Sequence, residues 1–173
     1  MPLSHSEKKE FIKILQELLE IDQVHQMTRY IQHGNTSTFT HCLIVAYLSY
    51  HYALRLSFQY DLRSVVRGAM LHDFYLYDWH VPDKSHRLHG YFHAGFALKN
   101  ARKYFKLNKI EEEIIEKHMW PLNISKLPLC KEAALVCAVD KYVSMAETFY
   151  LPIIPKGYKS LERLLLKKLP AAD

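Results

Sequence analysis

Apolar residues recur along this chain at intervals of three and four, the period of a helix with one face turned inward. Phe11, Ile12, Leu15, Leu18 and Leu19 mark a first helix. A polar run at 32–38, with Gly34 and several helix-capping residue types, separates it from a long second one, where His41, Ile44, Val45 and Leu48 fall at i, i+3, i+4 and i+7. Asp61 is suited to cap a third helix that passes through Val65, Val66, Ala69 and Met70 to His72 and Asp73. The stretch 74–87 is aromatic and irregular, and Pro82 excludes a continuous helix there. Helical spacing resumes near His89 and passes His93, Phe96, Ala97 and Ala101. Around Leu107 and Asn108 it gives way to a helix bearing Ile110, Ile114, Ile115 and His118, which Pro121 ends. Pro128 precedes a helix from Lys131 to about Phe149, with Ala133, Val136, Cys137, Asp140 and Val143 inward. A short basic helix over 159–168 follows Pro152 and Pro155. There is no internal repeat and no alternation strong enough to predict a strand, so the expected fold class is all-α, a single compact helical bundle.

With 173 residues, 49% of them hydrophobic, the chain can bury a core as one domain spanning 1–173. The net charge of +5 comes from Lys and Arg scattered among Asp and Glu, which predicts a solvated mixed-charge surface. Such a field suits a phosphorylated small molecule, and no motif supports nucleic acid. Cys42, Cys130 and Cys137 form no CxxC pair and adjoin apolar residues, as small buried hydrophobes in a reducing compartment do. The N-terminus is polar and no apolar run is long enough to cross a bilayer, so a cytoplasmic location and no membrane partner are expected.

The eleven histidines change the picture, because of where some of them fall. His41, Asp73 and Asp140 share faces with apolar residues and are predicted to point inward. Two carboxylates in one core need cations, strong donors or shifted pKa values. Lys and Arg are scarce on those faces and His is abundant, and imidazole with carboxylate is a donor set for borderline divalent metals. A lone His on an apolar face is usually a hydrogen-bonded core residue; His41, His72, Asp73 and Asp140 together argue for an ion. His72 and Asp73 are consecutive, about 100° apart on a helix, so both reach one ion only over the helix flank near its end. The second carboxylate oxygen of Asp73 is then available to bridge to another ion.

His41, then Leu71-His72-Asp73, then Val139-Asp140-Lys141 resemble the motif of the HD superfamily in order and helical context. The resemblance covers roughly residues 38–147. It implies an HD-type helical bundle, metal-dependent phosphohydrolase chemistry, and His41, His72, Asp73 and Asp140 as ligands of a divalent ion (Mn, Fe, Co, Ni, Zn or Mg). His93 in His93-Ala94-Gly95 and His118 resemble the extra histidines of multinuclear branches, which with Asp73 would hold a second ion. One or two ions remain open. His89, four residues before His93 and on its face, is expected to support that ligand from behind. His80 and His86 are expected to be exposed, and His5, His25, His33 and His51 carry no signal. The chain departs from better-known active branches in having Phe74-Tyr75-Leu76-Tyr77-Asp78-Trp79 where those carry a small residue and a Lys. In this it resembles a group of bacterial HD-domain proteins with an aromatic HDFYLYDWH signature.

The chemistry implied is hydrolysis of a phosphate ester by metal-activated water, with Asp73 as the catalytic residue that orients or deprotonates it. Lys84, Arg87 and Lys141, and also Arg67, are candidate phosphate contacts. The aromatic residues Phe74, Tyr75, Tyr77, Trp79 and Tyr91 offer a stacking surface to a nucleobase, or else core packing or a dimer interface. A nucleotide is therefore one candidate substrate, and a homodimer stays open. Two alternatives belong to other classes: a di-iron HD-type oxygenase, and a non-catalytic ligand sensor that keeps the metal as a staple. No Ser or Cys nucleophile motif competes.

Overall fold

The computed structural model describes residues 2–81, 83, 88–152 and 158–166. Its elements run α1 (His5–Leu19), α2 (Asp22–Gln26), a 3-10 turn (Met27–Arg29), β1 (Ile31–His33), β2 (Thr36–Ser37), α3 (Thr38–Ala53), α4 (Leu62–Leu71), α5 (His89–Tyr104), α6 (Lys109–Lys117), α7 (Lys131–Thr148) and α8 (Tyr158–Leu166). Among the described residues the fold is all-α apart from one short hairpin. None of the described helices is long and apolar enough to cross a membrane.

The helix starts follow the capping chemistry. Asp61 accepts from Ser64 N at 3.0 Å at the start of α4, and Asn108 and Glu111 form a reciprocal capping box on α6. The chain at 32–38, read as a polar separator, is instead an antiparallel hairpin, with Ile31 opposite Ser37 and His33 opposite Thr36. The correction has a local cause: Gly34 takes the left-handed conformation (φ +54°) that a tight turn requires, and a strand of three residues is too short to show alternation. A second correction concerns α6, which ends at Lys117, before Pro121 is reached.

α3 is the axis of the bundle. Its sequence predicts one inward stripe, yet nearly every residue from Thr38 to Tyr50 is buried, because α4 and α7 flank it and α8 and the 3-10 turn complete its surround. A helix apolar on all sides belongs inside. α1 and α8 complete the core with Phe11, Leu15, Leu18, Tyr158, Leu161 and Leu165. α4 packs on α6, and α5 lies against α6.

The α4–α6 approach depends on Gly68. A Cβ at this position would lie 2.6 Å from Ile114 Cδ1 and 2.9 Å from Ile114 Cβ and Cγ2, so one helix must move. Gly68→Ala is expected to destabilise the chain by about 1–3 kcal/mol, the usual cost of overpacking, despite the better helix propensity of Ala. A thermal melt checks this, and an unchanged midpoint would mean that α6 yields freely. Gly68 and Ile114 each stand one turn before a cluster histidine, His72 and His118, so the same close approach brings those two rings together.

Candidate metal centre

His72 and His118 are the C-cap residues of α4 and α6. The last carbonyls of a helix lack intrahelical donors, and each imidazole supplies one: His72 Nδ1 donates to Ala69 O at 2.7 Å and His118 Nδ1 to Ile115 O at 2.8 Å. His93, inside α5, does the same with His89 O at 2.8 Å. With Nδ1 committed in all three, the Nε2 atoms are the ones turned to the cluster. His41 Nδ1 donates to Glu147 Oε2 at 2.8 Å, leaving its Nε2 facing Asp140 Oδ1 at 3.2 Å.

Asp73 divides its carboxylate between two groups. Oδ2 faces His72 Nε2 at 3.3 Å and His41 Nε2 at 3.8 Å, and Asp140 Oδ1 stands 3.6 Å from His72 Nε2. Oδ1 faces His93 Nε2 at 3.1 Å and His118 Nε2 at 3.4 Å. His41, His72, Asp73, His93, His118 and Asp140 are all nearly inaccessible. Among the described residues, three overlapping triads place their donor atoms within 4.8 Å of one another: His41, His72 and Asp73; His72, His118 and Asp140; Asp73, His93 and His118.

This donor set fits a divalent ion. Among the described residues, His72 Nε2 and Asp73 Oδ1 are buried with no hydrogen-bond partner, which is costly in a low-dielectric interior. His93 Nε2 and His118 Nε2 stand 2.9 Å apart, each with its other nitrogen already donating, so one proton or one cation must lie between them. Imidazole nitrogen with carboxylate oxygen is the set that Zn, Mn, Fe and similar ions take.

The electrostatics agree. Burial opposes charge on Asp73, but the facing His72 and His93, with His118 beside them, hold its carboxyl well below the usual carboxylate range. Burial likewise opposes charge on Asp140, and His41, His72 and Lys141 outweigh it. Burial lowers His41, yet hydrogen bonds to Asp140 and Glu147 push it up to about 10, and His72 also lies well above its ordinary value, chiefly because Asp73 overcomes burial. For His118 burial prevails, bringing it down to about 4, so its ring is neutral near pH 7. Without a cation, protons on His41 and His72 balance the two aspartates.

Other expected residues are placed as follows. His89 stacks on His93 (4.4 Å, 15°) and pairs with Tyr77 OH at 2.9 Å. Lys141 donates to Asp140 Oδ2 at 2.7 Å and to His118 O at 2.9 Å, so its ammonium is bound to the cluster itself. Lys84, Arg87 and His86 lie outside the described residues. Arg67 is a correction: it is buried, with Nε donating to Glu111 Oε1 at 2.5 Å, and belongs to the core rather than to a phosphate. Of the readings open for the aromatic stretch, core packing holds for Phe74 and Tyr75, which are buried, while Tyr91 is exposed away from the centre. Trp79 does face the centre, already stacked on His89 (5.1 Å, 12°) with His80 tilted against it at 3.9 Å.

A cavity of about 1250 Å³ opens over the cluster. Asp73, His93, His118, Asp140 and Lys141 line its polar end, and Val81, Leu88, Met119, Pro121 and Leu122 its apolar wall. An apolar cleft with a few convergent polar groups is the usual form of a small-molecule site.

Three contributors escaped the sequence reading. His33 lines the cavity and packs edge-on to His41 at 5.7 Å. Gln32 donates from Nε2 to Asp73 Oδ2 at 2.6 Å. Nothing in the polar run distinguishes either. Glu147 had a usable signal: it lies seven residues after Asp140, two turns along the inner face of α7, with Ser144 between them bonded to Asp140 Oδ1 at 3.1 Å. A carboxylate behind a metal-facing imidazole fixes its tautomer and raises its basicity. Glu147→Gln is expected to weaken divalent-ion affinity about 10- to 100-fold, read by equilibrium dialysis; an unchanged affinity would show that His41 needs no such support.

No curated protein and no solved structure gives a match to this chain. The family model for the HD domain matches residues 38–145, a span that contains His41, His72, Asp73, His93, His118 and Asp140. That match covers more than half of the sequence, and the chain belongs to the HD domain family.

Proposed function

We propose that this HD domain protein is a phosphohydrolase that works with two divalent ions on a small phosphate ester. The observation that supports it is the divided carboxylate of Asp73, with His41 and His72 on its Oδ2 side and His93 and His118 on its Oδ1 side. In this reading His41, His72, Asp73 and Asp140 hold one ion, and Asp73, His93 and His118 hold the other. Bound there, such ions lower the pKa of coordinated water and neutralise charge on a phosphoryl oxygen.

The protein's own residues then do the positioning. Asp73 orients the attacking water from between the two half-sites, and Lys141 holds Asp140 by its Oδ2. The backbone bonds of His72, His93 and His118 stop their rings from turning, so the geometry is set before substrate arrives. Lys84 and Arg87 are proposed phosphate contacts, being neighbours in sequence of the cavity residues Asp83 and Leu88. The aliphatic wall, rather than a free aromatic face, receives the body of the ester. A nucleotide is one candidate among such esters.

The testing experiment is phosphate release from a panel of nucleoside monophosphates, sugar phosphates and alkyl or aryl phosphates, after loading with manganese, cobalt, nickel, zinc, iron or magnesium. Release that requires an ion supports the reading. Oxygen consumption by the iron-loaded protein without phosphate release would assign di-iron redox chemistry instead, and ligand binding without turnover would assign a sensor.

A pH dependence follows from the protonated histidines. His41, raised to about 10, and His72, also raised, carry protons near neutral pH, and an ion must displace them. Ion affinity is therefore expected to rise with pH between about 6 and 8, with about two or more protons released per chain loaded. Calorimetry in two buffers of different ionisation enthalpy counts them; a release of none would contradict the proton-balanced resting state.

A further inference from the structure

We infer that Gln32 is the positioning residue that keeps Asp73 in its bridging orientation, so that uptake of the second ion depends on Gln32 while uptake of the first does not. The inference rests on the two-ion reading proposed above.

A carboxylate turns readily about its last torsion, which is broad and roughly two-fold. Left to itself, Asp73 can present both oxygens to the His41 and His72 side and chelate one ion there. A directional donor prevents this. Gln32 Nε2 donates to Asp73 Oδ2 at 2.6 Å and holds that oxygen, leaving Oδ1 turned to His93 and His118 with no donor of its own.

The amide of Gln32 is itself oriented. Its Oε1 accepts from Tyr75 OH in a short hydrogen bond and from Thr38 Oγ1 at 3.4 Å. Because a carboxylate only accepts, the amide nitrogen must be the end that faces Asp73. Tyr75 is 2% exposed, and Asn100 on α5 grips the backbone behind it, donating to Phe74 O and Tyr75 O at 3.0 Å each. Gln32 is 5% exposed on β1, whose hairpin leads directly into α3 and His41. The hairpin thus delivers one donor to the carboxylate shared by both half-sites, and Tyr75, two residues after Asp73, returns to fix that donor.

The experiment loads wild type, Gln32→Met, Tyr75→Phe and the double variant with manganese(II). Ions per chain are counted by dialysis and the electron paramagnetic resonance spectrum is recorded; neither readout depends on activity. Wild type is expected to take about two ions with an exchange-coupled spectrum. Gln32→Met, which keeps side-chain volume and loses the donor, is expected to keep one ion with an isolated six-line spectrum. Its affinity for the second ion falls about 10- to 100-fold. Tyr75→Phe should fall between them, and the double variant should be no worse than Gln32→Met, since the two groups act in series. Two coupled ions in Gln32→Met would overturn the role of Gln32 and leave the metal centre standing. Joint loss of both ions in Tyr75→Phe and Gln32→Met would also overturn it, by making the pair a general prop. A wild-type chain that never takes a second ion would overturn this inference together with the two-ion reading.

Discussion

Asp73→Ala is expected to leave the protein with almost no bound divalent ion and to cut ion-dependent phosphate release by about a thousandfold or more, the scale of several kcal/mol of lost charge stabilisation. Asp73 presents one oxygen to each half-site: Oδ2 stands 3.3 Å from His72 Nε2 and Oδ1 stands 3.1 Å from His93 Nε2. Its removal deprives each ion of a negatively charged ligand at once. Asp140→Ala should reduce metal content sharply through the His41 and His72 side, whereas His118→Ala should lower the stoichiometry by about one ion. His51→Ala, in the last turn of α3, is the control and should keep the wild-type content. Equal metal content in Asp73→Ala, Asp140→Ala and His51→Ala would sink the proposed centre.

Arg67→Met should cost stability, about 3–5 kcal/mol, without moving the KM of an active ester. The guanidinium is buried on α4 against Glu111, which is buried as well, and its other contacts are Lys106 O at 3.3 Å and Glu17 at 3.6 Å. Shortening it to an apolar side chain strands a carboxylate in the interior, and that stranded charge, rather than the worth of the pair, sets the size of the effect. Glu111 also closes the capping box of α6, the helix that ends in His118. Urea denaturation reads the loss, and Arg67→Met combined with Glu111→Leu should recover much of it because no charge is left unpaired. A wild-type unfolding midpoint with a raised KM would return Arg67 to the substrate.

Gly68, Arg67 and Glu147 show how the bundle serves the cluster. Gly68 lets α4 and α6 approach, the Arg67–Glu111 pair ties the same two helices, and Glu147 on α7 reaches across to His41 on α3. Each ligand sits on, or at the end of, a packed helix, which holds a site more accurately than a loop does.

What the sequence by itself determined was the course of the longer helices and the histidines and aspartates at the centre of the cluster. The 3.6-residue period is local, so a run of ten to twenty residues announces both the helix and its inner face, and His41, Asp73 and Asp140 are conspicuous as polar residues on apolar faces. His93 and His118 were legible only through resemblance, since nothing in their own helices separates a ligand from a core histidine. The tertiary structure alone decided how these residues are paired. Gln32 meets Asp73 across 41 positions, Arg67 meets Glu111 across 44, and His41 meets Glu147 across 106. No local period encodes such pairings; they arise when helix faces pack and each buried polar atom must find a partner among whatever the neighbouring element presents. For that reason Arg67, read as a candidate phosphate contact, became a core residue, Gln32 in a polar run became a support for the central carboxylate, and a polar separator became the hairpin that carries it.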